Sequence, residues 1–134
     1  MSGPQGQRLA AVTYLVEDYD AAIAWFTARL GFKLVSDTAL SATKRWVEVE
    51  AGPGDVRLLL AKATTPAQHA AIGAAAGDRV AFFLYTDDII AKRAAMESAG
   101  VAFVEDIRRE PYGKVCVFED LYGNRWDLLE PAKA

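Results

Sequence analysis

The chain has 134 residues, with 15 Lys and Arg against 18 Asp and Glu for a formal charge of -3, one His, and 52% hydrophobic residues. A chain of this length buries roughly two-thirds of its unfolded surface and needs no disulfide or structural metal to fold. Its one cysteine, Cys116, has no partner within the chain. An acidic balance without a basic run argues against a nucleic-acid partner, and no apolar stretch approaches the roughly 20 residues of a membrane span. The opening MSGPQGQRLAAV lacks a charged segment followed by an apolar one, so a cytoplasmic location is expected.

A single histidine is a handicap for transition-metal chemistry, because zinc, nickel and non-haem iron sites usually draw on two or more imidazoles. Carboxylate sites for harder cations remain open.

Residues 9–16 (LAAVTYLV) form an apolar run that predicts a buried strand. EDYDAAIAWFTARLGF follows, with Asp18 as N-cap, Asp20 in the first turn and Gly31 closing the helix. Between them Tyr19, Ile23, Phe26 and Leu30 make one apolar stripe. Strands are predicted at 32–38, 44–51 and 55–62, with a turn at Gly52-Pro53-Gly54. Residues 63–78 connect to a second half, and Thr65-Pro66-Ala67-Gln68 has the form of a helix-starting capping box.

The second half repeats this grammar. A strand is expected at 79–86, then a helix capped by Asp87 or Asp88, closed by Gly100 and carrying Ile89, Arg93 and Met96 inward. Further strands are expected at 101–109, 114–119 and 125–130. Aligning the caps gives an internal offset of 69 or 70 residues, and two βαβββ modules are the simplest account. The chain is therefore expected to be one α+β domain, with module 1 at about 8–62, the connector at 63–78 and module 2 at about 79–131.

YGKVCVFEDLYGNRWDLLEP and EDYDAAIAWFTARLGF, set in tandem βαβββ units, resemble the vicinal oxygen chelate superfamily, which includes glyoxalases, bleomycin-resistance proteins and dioxygenases. The resemblance spans about Leu9 to Pro131 and implies U-shaped mixed sheets lining a cavity. It also implies four metal ligands, mostly His and Glu, on the first and last strands of the modules. Here those positions fall on Ala11, on a stretch from Val56 to Leu60 without a carboxylate, on Ala81, and on Asp127. One carboxylate does not hold a divalent ion against water, and His69 lies in the connector. No metal site and no cofactor are expected, although a divalent ion on unidentified ligands stays open.

Strand alternation puts Thr13, Leu15, Phe83, Tyr85, Arg125 and Leu129 on the faces of Ala11, Ala81 and Asp127. In the third strand it puts Trp46, Glu48 and Glu50 opposite Val47 and Val49, either lining the cavity or as solvated edge charges. Trp46, Glu48, Phe83, Tyr85, Arg125 and Asp127 are the candidate ligand-binding residues. Aromatic faces with carboxylates suit a flat or cationic organic molecule, while core packing is the alternative for each aromatic. Arg125 and Asp127, two apart on one strand, are close enough to pair. Asp127 is also a candidate for a catalytic acid or base. Cys116, inside a strand, reads as a small buried hydrophobe.

The leading expectation is a metal-free, glyoxalase/bleomycin-resistance-like protein that binds a small organic molecule. The alternatives are a lyase or isomerase of the same superfamily, using Asp127 or an unidentified metal site, and a protein-interaction module. The resemblance also implies a homodimer.

Overall fold

The computed structural model describes residues 6–133; residues 1–5, part of the opening stretch read above for a targeting segment, lie outside the described residues. The chain divides into two compact units, with the boundary between Ile72 and Gly73.

The first unit contains β1 (Ala11–Val16), α1 (Tyr19–Arg29), β2 (Lys33–Ala39), β3 (Arg45–Glu50), β4 (Arg57–Lys62) and α2 (Pro66–Ala71). Its sheet has the order β1-β4-β3-β2, with β1 parallel to β4 and the other pairs antiparallel. Asp18 caps α1, its carboxylate accepting from the Ala21 backbone N–H at 2.7 Å. Gly31, at φ 72°, supplies the left-handed turn that lets the chain reverse into β2. The helix buries Tyr19, Ala22, Phe26 and Leu30. Ala22 thus takes the place expected for Ile23, which is only half-buried. A methyl side chain lets the helix axis come close to the sheet, where Phe26 meets Tyr14 edge-on at 5.2 Å between centroids. Val16, Val47, Val49 and Leu60 are fully buried on this helix-covered face.

The expected connector helix is α2. The Thr65 hydroxyl accepts from the Gln68 backbone N–H, and the Gln68 side chain reaches back to the Thr64 N–H rather than to that of Thr65.

The second unit contains β5 (Phe82–Tyr85), α3 (Ile89–Ser98), β6 (Ala102–Phe103), β7 (Arg108–Glu110), β8 (Gly113–Glu119) and β9 (Arg125–Pro131). The sheet runs β5-β9-β8-β6, with β7 also paired to β8. Asp88, not Asp87, caps α3 through the Ala91 N–H. The strand expected over 101–109 is two short ones: Ala102–Phe103 and Arg108–Glu110 each pair with β8, and the chain between them leaves the ladder. Under α3, Phe82, Trp126, Phe118 and Phe103 are cross-strand neighbours forming an aromatic row, with centroids 4.6–5.6 Å apart. The β8–β9 turn is organised by Asp120, buried, which accepts from the backbone N–H groups of Tyr122 and Asn124 and from the Trp126 indole at 2.9–3.0 Å.

Candidate functional site

In both units one sheet face packs against its helix, so chemistry is sought on the other. In the first unit that face carries Thr13, Leu59, Glu48 and Ser36 as successive cross-strand neighbours, flanked along β3 by Trp46 and Glu50. Trp46 is 44% exposed, whereas Glu48 and Glu50 are buried. β3 is an interior strand between β4 and β2, so these carboxylates are not solvated edge charges. Glu48 accepts from the Ser36 hydroxyl at 2.9 Å and from Arg57 at 3.3 Å. The Arg57 Nε lies 3.4 Å from Glu50 Oε2, and that oxygen receives no hydrogen bond.

In the second unit the face away from α3 places Phe83 beside Asp127 and Val117, and Tyr85 beside Leu129, Val115 and Arg108. Phe83 and Tyr85 are 62% and 66% exposed, too open for the core-packing alternative. Directly opposite Phe83, Asp127 is buried at 8% exposure, and its Oδ1 has no hydrogen-bond partner. Burial pushes this carboxyl above the ordinary 3.8; the nearby Arg108 guanidinium opposes the shift and Glu105 reinforces it. Arg108 is itself engaged by Glu105 at 2.8 Å and by Glu110, so its charge is shared among several carboxylates.

The expected Arg125–Asp127 pair is not what the structure shows. Arg125 turns to Glu119, 3.7 Å away on β8. Two residues along one strand lie roughly 6.6 Å apart, whereas directly opposed cross-strand residues are about 5 Å apart, and the nearer carboxylate wins. Arg125 is more than half exposed and lines a small polar cleft with Gly77, Arg79 and Asn124.

Ala11 and Ala81 bring methyl groups to two of the positions where the resemblance implies metal ligands, and β4 brings no carboxylate. Among the described residues no group of three or more His, Cys, Asp or Glu side chains comes together to hold a metal ion. His69 lies exposed on α2. Cys116 is fully buried, and burial pushes its thiol up although the positive charge of Arg93 on α3 pulls the other way; such a thiol is a poor nucleophile.

Sequence reading named Glu50 without assigning it to the site, and left out Arg57, Ser36 and Arg108 altogether. All four enter through cross-strand register. The one available signal was the alternation that places Glu50 with Trp46 and Glu48.

Two mixed sheets, each backed by one long helix and built from repeated βαβββ order, define an α+β protein of the glyoxalase/bleomycin-resistance architecture. The chain belongs to the Glyoxalase/Bleomycin resistance protein/Dioxygenase superfamily, whose family model matches residues 8–128. A protein of Shewanella frigidimarina (strain NCIMB 400), described as uncharacterized, is 45% identical over 126 residues, covering 92% of this chain and 93% of its own length. Among solved structures, UcmS2 is 29% identical with a TM-score of 0.79, over 92% of this chain and 97% of that one. A glyoxalase/bleomycin resistance protein from Streptomyces sp. CB03234 is 26% identical with a TM-score of 0.71, over 91% and 99%. TnmS3, an antibiotic binding protein from the same Streptomyces strain, shares the fold at 24% identity and a TM-score of 0.74, over 94% and 97%.

Proposed function

We propose that this protein binds a small aromatic or cationic organic molecule, without a divalent metal, on the strand faces turned away from its helices. The observation that carries the reading is Asp127: a buried carboxylate with an unsatisfied oxygen, beside the exposed rings of Phe83 and Tyr85. Burying a charged oxygen without a donor is costly, and a ligand ammonium or other N–H group would supply that donor. The neighbouring rings would stack on an aromatic body and attract a cation. Trp46 and Glu48 offer the same pairing of ring and carboxylate on the first unit. Antibiotic binding by TnmS3 is a property of that protein, and the shared fold is compatible with this reading without fixing it.

The test is a calorimetric titration with a bleomycin-type compound and a panel of other cationic aromatic compounds. At least one should bind, with the affinity unchanged by EDTA and reduced at least about tenfold by Asp127→Asn, the cost of losing a charge-assisted hydrogen bond. A panel without binding would sink the proposal. Stoichiometric nickel, zinc or iron in protein purified without chelators would sink its metal-free part. The proposal extends to a cytoplasmic homodimer, as the family resemblance implies.

A further inference from the structure

On the face of the second sheet turned away from α3, one cross-strand row runs Tyr85, Leu129, Val115, Arg108. An exposed ring stands at one end and a guanidinium at the other, with Leu129 and Val115 buried between them. Arg108 is held from several sides. Its Nε donates to Glu105 Oε2 at 2.8 Å, and its Nη1 donates to Glu110 Oε2 and to the Tyr112 hydroxyl at 3.4 Å. Its Nη2 has no acceptor among the described residues and is open to solvent, in a side chain 40% exposed. Two charge-assisted N–H donors are therefore held in place and unused. Asp127 shares this face, and its carboxyl feels the Arg108 charge. The two residues lie two strands and two positions along the strand apart, a Cα separation of about 12 Å. The charges here are Glu105, Glu110 and Asp127 against Arg108. Arg125 is paired with Glu119, Lys114 and Arg109 fall on the opposite face, and Arg93 reaches in from α3 only to the Glu105 carbonyl oxygen and Glu97. The surplus is negative, which favours an uncharged oxygen over a carboxylate as the partner of the free donors.

We infer that Arg108 is a specificity-determining residue: its Nη2 donates to an uncharged carbonyl-type oxygen on an aromatic ligand whose ring lies against Tyr85. Glu105, Glu110 and Tyr112 are positioning residues that fix the guanidinium before the ligand arrives, which lowers the ordering cost of binding. The inference rests on the proposal that this face binds a small aromatic molecule, and not on the part given there to Asp127.

4-Acetylbenzylammonium and 4-ethylbenzylammonium are suitable probes: they match in shape and charge and differ in one carbonyl oxygen, at the opposite end of the ring from the amine. The readouts are calorimetric affinity, the Tyr85 ring resonances and the Arg108 side-chain N–H resonances, assigned with Arg108→Lys. The acetyl compound should bind about tenfold more tightly, as expected for a hydrogen bond from a charged donor, and should shift the Arg108 resonances saturably. The ethyl compound should shift Tyr85 alone. Arg108→Lys keeps the positive charge, but an ammonium has three donors, which Glu105, Glu110 and Tyr112 take up. In that variant the preference for the acetyl compound should fall to about twofold or less. Equal affinities in the parent, or a preference that survives Arg108→Lys, overturns the inference. Tighter binding of 4-carboxybenzylammonium than of the acetyl compound overturns the choice of an uncharged acceptor. If Asp127→Asn weakens both compounds but the acetyl group brings no gain in the parent, the inference falls and the Asp127 reading survives. If the preference tracks Arg108 while Asp127→Asn changes neither affinity, the outcome is the reverse. If neither compound moves the Tyr85 resonances, both fall.

Discussion

At the scale of single residues, Asp127 links site chemistry to stability. Its carboxyl is raised above the ordinary 3.8, chiefly by burial, so the folded protein holds this proton more tightly than the unfolded chain does. Stability therefore falls as pH climbs from 3.8 through the raised value, and the penalty persists above it. Asp127→Asn, which keeps the shape and removes the charge, is expected to stabilise the protein at pH 7 by an amount on the order of 1 kcal/mol. The gain should vanish below the ordinary carboxylate range, where both states are protonated. Thermal melts of the two proteins from pH 3 to 8 measure it, and a gain independent of pH would contradict the assignment. A cationic ligand needs the ionised form, so its affinity should rise over the same window. Tyr85→Ala, which removes an exposed ring, should weaken an aromatic cation by roughly three- to tenfold and leave the melting temperature within about 2 °C.

At the scale of elements, two aspartates do visibly different work. Asp88 caps α3 through one backbone N–H in an exposed setting, and Asp88→Ala should cost about 1 kcal/mol. Asp120 is buried and satisfies two backbone donors and the Trp126 indole, so Asp120→Ala leaves three donors to find new partners and should cost about 3 kcal/mol or more. Urea melts of the two variants give the ranking directly, and equal costs would mean that the turn is held by something else. Gly113 adds a geometric constraint: at φ 148° a Cβ there would lie 2.2 Å from the Glu130 carbonyl oxygen. Gly113→Ala should therefore loosen the β8–β9 pairing.

At the scale of the whole molecule, the proposed homodimer predicts a mass in light scattering of twice the 14.5 kDa of one chain, and a mass of one chain over micromolar concentrations would remove it. A single weak net charge of -3 also predicts that binding of a cationic ligand depends on local carboxylates more than on the overall field. Affinity should then fall only modestly between low and physiological salt, compared with the loss on Asp127→Asn.

The repeated order of elements was legible in the chain because local chemistry writes it. Asp18, Gly31, Asp88 and Gly100 mark helix ends by hydrogen bonding and backbone freedom, and strand alternation correctly grouped Phe83 with Asp127 and Trp46 with Glu48 and Glu50. Tertiary structure alone decided which strand lies next to which. It put β3 in the interior of its sheet and so buried two glutamates, brought Arg57 between them, and opposed Arg125 to Glu119 rather than leaving it for Asp127. Those outcomes depend on register between segments distant in sequence, where a shift of one residue turns every side chain to the other face. Local propensity and periodicity carry no record of that choice.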